Sequence, residues 1–441
     1  SHPLFVADTT TELGAAFERN NLLRSFALVT VNADGFENLS LKFTLRSVPS
    51  LLGTIVTNRA PAPGFFVDFT GSGQAPNPPE RLGWGNDAPP LRDFALGAVL
   101  QHFTKSILRR PGVDFRVPSD RELDDLAAYQ MSIGRDQDLD LTKLELRVQV
   151  ANRGRRLFLD TGNIGEPGHK NCNACHFNGG GTVGFAFNPD APGFTPRLDG
   201  NPRGFNAVSG INTNEAPLAL ALGIPRDGGF GVTPLPGGGF GNIGNVPGFG
   251  PAPVEEFAIP SLVEAGDTAP YFHNHSALTL EDSIAFYDSA PFRAINSVGG
   301  PIGPIPVSIS SNPSDPEVRA IAAFLRTLTA LDNLRSALSL IERGRLARVP
   351  ADAREMARLA MGEIRDAQAN LRGGVLGRAR DGSLFEARAH LEAARSLLAQ
   401  AADEQVPGAA AQAAWGEAAN AARRAREALA DPETLPRSYR R

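Results

Sequence analysis

The chain of 441 residues contains only two cysteines, Cys172 and Cys175, and three methionines. Two cysteines cannot build a disulfide framework or a four-cysteine zinc site, and no second Cys/His pair has zinc-ligand spacing. No stretch approaches ~18 consecutive apolar residues, so we expect no transmembrane segment. The net charge is −5 and basic residues form no runs before the C-terminal region, which argues against nucleic-acid binding. A hydrophobic content of 42% is typical of a globular protein.

Both cysteines belong to the sequence Asn171-Cys172-Asn173-Ala174-Cys175-His176, which has the C-x-x-C-H pattern of c-type haem attachment. Two thiols one short turn apart can each bond to one vinyl group of the same porphyrin, and the following histidine supplies an axial nitrogen to iron. A redox C-x-x-C pair would not need His176 and would lie near a βαβ pattern, which the sequence lacks. The sequence therefore predicts one haem c, attached through Cys172 and Cys175, with His176 as the proximal iron ligand.

The expected compartment follows from this haem. Covalent haem attachment in bacteria takes place outside the cytoplasm, yet Ser1 is not followed by the charged segment and apolar run of a signal peptide. We therefore expect that an export signal was removed ahead of Ser1, and that the protein is periplasmic or otherwise exported.

Two parts of the chain repeat the same short motifs in the same order, which indicates two copies of one domain. Val48-Pro49-Ser50-Leu51 is matched by Ile259-Pro260-Ser261-Leu262, and Pro118-Ser119-Asp120-Arg121-Glu122 is matched by Pro313-Ser314-Asp315-Pro316-Glu317. The haem segment of the first copy would fall ahead of Ser1. We expect that this segment was cut away or lies on another chain; the alternative is that the first copy lost its haem.

Helical periodicity predicts a mainly α fold that ends in a C-terminal helical bundle or hairpins. The repeat around a c-type haem motif indicates tandem cytochrome c-like domains, and the glycine and proline content indicates long ordered loops. The predicted domains are a first cytochrome c-like domain without C-x-x-C-H over 1–143, the haem domain over 144–331 and a helical region over 332–441. Caps and breaks near residues 350, 373, 381 and 407 divide the last region into roughly four helices. These helices are candidates for docking a partner or for dimerisation.

Particular helices are expected as well. The spacing of apolar residues predicts helices over 91–107, from residue 119 onward, over 144–159 and over 280–287. The helix with Gly154 and Phe158 is expected to cross the closing helix at Phe324, as helices do over the haem of a cytochrome c.

Residues 40–330 resemble the bacterial di-haem cytochrome c peroxidase and MauG-like family. The resemblance rests on the haem motif, both Pro-Ser-Leu segments, both Pro-Ser-Asp-x-Glu helix starts and Ala269-Pro270-Tyr271-Phe272-His273. It implies two facing cytochrome c domains, peroxide chemistry at an N-terminal haem and electron storage and relay at the C-terminal haem. It further implies a second haem from the missing segment, a tryptophan relay between the haems at Trp84, and a calcium ion at the domain interface.

The sequence departs from this family in the peroxide pocket, where Phe94, Ala98 and Thr104 replace the family's Gln, Pro and Glu. Threonine cannot act as the carboxylate acid–base of O–O cleavage, so we assign no catalytic residue and leave enzymatic activity open. His102 lies four residues after Ala98, on the same helix face, and is a candidate ligand of a first haem. The alternative is a hydrogen-bonded, half-buried histidine.

The distal ligand of the haem at Cys172 is also altered, because no methionine lies between His176 and Ala330. The matching position holds Tyr287, which the MauG-like branch of the family uses as a ligand. A phenolate brings an anionic oxygen to iron and stabilises the ferric state. His273 and His275 are the alternative ligands, and an open sixth position is a further alternative.

These features favour an exported c-type haem oxidoreductase of the cytochrome c peroxidase and MauG type, in which the haem relays electrons. The alternative is a non-enzymatic electron-transfer cytochrome or a redox subunit of a larger complex. Both require a redox partner protein as electron donor or acceptor. In a third hypothesis, the C-terminal helices dock a larger complex and the haem is only a conduit.

Overall fold

A computed structural model describes residues 28–32, 43–54, 91–102, 112, 116–134, 139–160, 168–170, 172–179, 232–235, 239–242, 260–272, 275, 277–288 and 308–440. The described chain is mainly helical, as the sequence predicts. None of its helices is both long enough and apolar enough to cross a bilayer.

The N-terminal part combines one β-hairpin with two helices. Strands β1 (Leu28–Asn32) and β2 (Phe43–Ser47) pair antiparallel. They are followed by helices α1 (Leu91–His102) and α2 (Asp120–Ser132). Ser119 caps α2 in a capping box with Glu122, and Arg92 of α1 forms an ion pair of 3.0 Å with Asp124 of α2.

Three helices follow, and the second of them is part of the haem motif. They are α3 (Gln149–Phe158), the single turn α4 (Cys172–Cys175) and α5 (Leu280–Phe286). The region between α4 and α5 contains a second antiparallel hairpin, β3 (Val232–Leu235) with β4 (Gly239–Asn242). The glycine- and proline-rich sequence of residues 223–253 predicts a long loop that could also contact a cofactor edge or a partner, and the hairpin lies within it.

The longest helix is α6 (Pro316–Leu346), whose 31 residues connect the haem motif region to the C-terminal region. Its first half crosses α3, where a side chain on Gly154 would overlap the carbonyl group of Ala320. The rings of Phe158 and Phe324 pack there with centroids 5.3 Å apart. This is the crossing that the sequence predicts, and it depends on Gly154 because only glycine allows the two backbones to approach so closely.

The C-terminal region is an antiparallel helical bundle in which α6 is joined by α7 (Pro350–Arg372), α8 (Gly382–Ala402) and α9 (Gly408–Leu429). The breaks between these helices lie near residues 350, 373, 381 and 407, as the sequence predicts. A short last helix, α10 (Arg437–Arg440), buries Tyr439 against the bundle.

Bundle and haem motif region share one hydrophobic core, which extends from Leu139 to Tyr439. The predicted domain boundary at residue 331 lies inside α6.

The C-terminal chain also returns to the start of α3. The backbone N–H of Arg147 donates to the carbonyl of Leu429, and that of Asp431 donates to the carbonyl of Glu145, both at 2.9 Å. Leu146 therefore forms a β-bridge with Ala430 and the stretch 144–148 is not helical, so the predicted helix start at Leu144 is five residues too early. The pairing with a segment almost 300 residues away outweighs the local helical pattern.

The two Pro-Ser-Leu segments adopt the same local turn and touch each other. The Ser50 hydroxyl accepts a hydrogen bond from the N–H of Leu52, and the Ser261 hydroxyl accepts one from that of Val263, each at 3.3 Å. Gly53 packs directly against Ser261. The sequence repeat therefore has a structural counterpart at this contact.

Candidate functional site

The haem motif forms a short turn that is held by asparagine side chains. The N–H of His176 donates to the carbonyl of Cys172 at 2.9 Å, which closes α4. Asn178 adopts a left-handed conformation with φ of 53°, and its N–H donates to the side chain of Asn173 at 2.9 Å. The Asn178 side chain then accepts from the N–H of Leu141 at 3.2 Å. Both asparagines therefore fix the direction in which His176 leaves the turn.

The His176 imidazole is buried, and both of its nitrogens have defined neighbours. Nδ1 lies 3.0 Å from the carbonyl oxygen of Pro260, so it carries the hydrogen and donates to that oxygen. Nε2 then presents its lone pair and lies 3.4 Å from the hydroxyl oxygen of Tyr287. Burial lowers the pKa of His176 to about 4, against a smaller opposing effect of the Pro260 hydrogen bond, so the ring is neutral at neutral pH.

Tyr287 directly follows α5, and α5 is anchored at its N-terminal end by two sets of contacts. Thr279 and Asp282 form a capping box at its start. Glu281 binds Arg326 of α6 through two hydrogen bonds of 2.6 and 2.7 Å, and both side chains are largely buried. Burial opposes ionisation of Glu281, but the bonds to Arg326 outweigh it and lower the pKa of this carboxyl. The ion pair therefore fixes the position of Tyr287 against His176.

The chain that enters the haem motif is fixed to its surroundings too. Lys170 is buried and forms an ion pair of 2.8 Å with Glu317 at the start of α6. The backbone carbonyl of Lys170 lies 3.6 Å from Sγ of Cys172. His169 contacts Asp160 at 2.9 Å through Nδ1. These contacts hold the first cysteine of the motif next to the start of the closing helix.

The structure thus brings together Cys172, His176 and Tyr287 among the predicted site residues. His275 is half-buried in a left-handed conformation with φ of 60°, and burial lowers its pKa. Its backbone N–H donates to the carbonyl of Phe272 at 3.4 Å. Cys175 lies in α4 and His102 ends α1, but their side chains fall outside the described part.

The predictions for Trp84, Thr104 and His273 fall outside the described residues altogether. The structure also shows two functional groups that sequence reasoning did not assign. The first is the carbonyl of Pro260, which binds His176; in the sequence, Pro260 stands out only as part of a repeat. The second is the pair of Glu281 with Arg326, which has no local sequence signal because 45 residues separate the two.

Within the described residues, no three His, Cys, Asp or Glu side chains converge in a way that could hold a metal ion. Comparison of the chain with family models, with curated proteins and with solved structures finds no match.

Proposed function

We propose that the chain is a c-type haem oxidoreductase, in which a haem on Cys172 and Cys175 is ligated by His176. The observation that carries this proposal is the pair of contacts on the His176 ring. Nδ1–H donates to the Pro260 carbonyl, and Nε2 points its lone pair at Tyr287. An axial histidine needs this tautomer, in which one nitrogen is fixed by a backbone carbonyl and the other is available to iron.

The residues present fit such a group. The low pKa of His176 keeps the ring neutral, which is the state that binds metals. The Nε2–Oη distance of 3.4 Å is long for a hydrogen bond, so the contact between the two atoms is weak and could be replaced by bonds to iron, for which Tyr287 would have to move slightly away from His176. A C-x-x-C-H motif thus coincides with a correctly oriented histidine that has a candidate oxygen ligand beside it.

A bound haem supplies one-electron redox chemistry. The protein's own residues hold it and adjust it. Cys172 and Cys175 would be the attachment points, and the carbonyl of Pro260 orients His176 by accepting the hydrogen bond from Nδ1–H. Tyr287 is the candidate distal ligand, with His273 and His275 as alternatives. The ion pair of Lys170 with Glu317 keeps the motif against α6.

We further propose that residues 40–330 belong to the di-haem cytochrome c peroxidase and MauG kind, as tandem cytochrome c-like domains. Three observations support this: the α3–α6 crossing, the identical serine turns and the contact of Gly53 with Ser261. The proposal includes export, a redox partner protein, a second haem from another segment, with His102 as a candidate ligand, and a relay role for Trp84. A calcium ion at the domain interface is part of the same proposal.

The alternative function is electron transfer without enzymatic turnover. One observation favours it: the Tyr287 hydroxyl lies next to Nε2 of His176, so both side chains could serve as ligands of the iron. A haem held by both residues would offer no free coordination site to peroxide and would serve to relay electrons.

The deciding experiment is production of the chain in a bacterial host with the haem attachment machinery. We expect one covalent haem per chain, measured by intact mass and by the pyridine haemochrome spectrum. Cys172→Ser with Cys175→Ser should abolish attachment. His176→Ala should change the axial ligation, whereas His390→Ala, on α8 in the bundle, should not. A chain without covalent haem under these conditions would refute the proposal.

Addition of hydrogen peroxide to the reduced protein then separates the two functions. Turnover of a reduced donor indicates an oxidoreductase, and its absence with reversible one-electron redox indicates an electron carrier.

A further inference from the structure

Acidic side chains gather where the 3₁₀ turn Ala265–Asp267 packs against α6 and α7. We call this group the acidic junction; its members are Glu264, Asp267, Asp332, Glu363 and Asp366. Arg335 of α6 faces both glutamates of the junction, and Arg365 lies beside Asp366. The carboxyl groups therefore outnumber the cations that face them.

The junction is the place where the turn is attached to the helices. Asp267 accepts hydrogen bonds from the side-chain amides of Asn333 at 3.1 Å and Asn370 at 2.5 Å. The N–H of Gly266 donates to the Thr329 hydroxyl at 2.9 Å. A side chain at position 266 would overlap Asn370, so the turn lies directly on the helix surface.

The junction also has an excess of hydrogen-bond acceptors. Asp332 is 1% exposed and accepts from the Tyr439 hydroxyl with Oδ1, while its Oδ2 has no hydrogen-bond partner. The side-chain oxygens of Asn333 and Asn370 are likewise buried without a partner. An ionised carboxylate is an acceptor only, whereas a protonated carboxyl also donates. Proton uptake would therefore reduce the negative charge and supply missing donors in the same step.

The protonation of the two glutamates agrees with this geometry. Burial, together with the charges of Asp332, Glu363 and Asp267, raises the pKa of Glu264 to about 8. Burial, together with Asp366 and Asp267, raises the pKa of Glu363 to about 7. The pKa of Asp267 and that of Asp366 are also raised, by partial loss of contact with water, although both residues stay exposed at the surface. Arg335 opposes the shift at both glutamates without cancelling it.

We propose that the acidic junction is a proton-operated latch, which seats residues 260–268 on α6 and α7 when it is protonated and releases them when it loses protons. Pro260 is the first residue of this segment and supplies the carbonyl that orients His176. Release would loosen that hydrogen bond. This last consequence rests on the proposed haem function; the latch itself does not.

The direction of the pH effect follows from linkage. The folded protein holds these protons more tightly than the unfolded chain, in which a glutamate has a pKa of 4.5. The stabilisation is therefore complete below about pH 4.5 and falls as the pH rises through about 7 and about 8. The latch is closed in mildly acidic solution and open in mildly alkaline solution.

Hydrogen–deuterium exchange on the full-length chain tests the latch directly. We expect peptides covering 260–268 to lose protection between about pH 6 and about pH 9, after correction for intrinsic exchange, while peptides of α9 stay protected. Glu264→Gln and Glu363→Gln should remove most of this pH response, because glutamine carries donors and no charge. Glu355→Gln, at an exposed position of α7, is the matched control and should respond like the wild type.

A wild-type segment whose protection does not change with pH would overturn the latch. So would variants of both glutamates that keep the full pH response. If one variant fails to fold, the other and the wild-type pH series still decide the question. A segment that opens with pH while the haem reduction potential stays constant would overturn only the link to His176, and the haem count is measured separately.

Discussion

Gly154 of α3 lies against the backbone carbonyl of Ala320 in α6, where the two helices cross. We expect Gly154→Val to destabilise the fold by about 3 kcal/mol or more, because its side chain has to push two helix backbones apart. Urea unfolding followed by circular dichroism measures this. Gly362→Ala is the control, since a Cβ at this position of α7 meets no other atom. It should be neutral or stabilising by about 0.5–1 kcal/mol. Equal stability of Gly154→Val and wild type would contradict the packing described here.

The ion pair of Glu281 with Arg326 gives a second prediction. Arg326→Met should cost about 3–5 kcal/mol, because it leaves the largely buried Glu281 carboxylate without its partner. The double variant Glu281→Gln with Arg326→Met should be more stable than Arg326→Met alone, since no charge is then buried. A double-mutant cycle in urea measures the coupling between the two. Additive losses would show that the pair does not act as a unit.

Tyr287 can be tested as distal ligand by optical spectroscopy and redox titration. Tyr287→Phe removes the oxygen 3.4 Å from His176 while leaving the ring. We expect an altered ferric haem spectrum and a higher reduction potential, because an anionic ligand that favours ferric iron is lost. Tyr129→Phe, at a position 58% exposed on α2, is the matched control. An unchanged spectrum in Tyr287→Phe would shift the assignment to His273 or His275.

The hydroxyl of Tyr439 donates to the buried Asp332. Tyr439→Phe should destabilise the protein by about 1–3 kcal/mol, because it leaves a further buried carboxylate oxygen without a donor. Thermal unfolding of the variant beside Tyr129→Phe measures the difference. A loss no larger than that of the control would mean that solvent replaces the missing donor.

Sequence periodicity was enough to predict the helices of the C-terminal region, because they depend on local patterns of apolar residues, caps and glycines. The α3–α6 crossing joins distant residues and was expected from the helix arrangement of a cytochrome c. The start of α3 could not be predicted in this way. Residues 144–148 form backbone hydrogen bonds with the segment around Leu429, and no local signal encodes a partner so distant.

In the site, too, the contiguous features could be predicted from the sequence and the long-range contacts could not. Cys172, Cys175 and His176 are recognisable because the C-x-x-C-H pattern places them almost next to one another in the sequence. Tyr287 was predicted through a resemblance, and the structure places it at His176. The roles of Pro260, Arg326 and the acidic junction arise only when distant segments fold together. The hairpin of β3 and β4 was missed because glycine and proline obscure strand periodicity.

The 31 residues of α6 also set a distance. A helix rises ~1.5 Å per residue, so the exposed Leu346 at its far end lies roughly 33 Å along the axis from the Phe158–Phe324 crossing. Since α6 is continuous and its far half is packed in the bundle, the helix acts as a rigid spacer between the crossing and the bundle tip. A molecule that binds the distal tip of the bundle would therefore be attached to the same rigid body as the haem motif, but too far away to contact it.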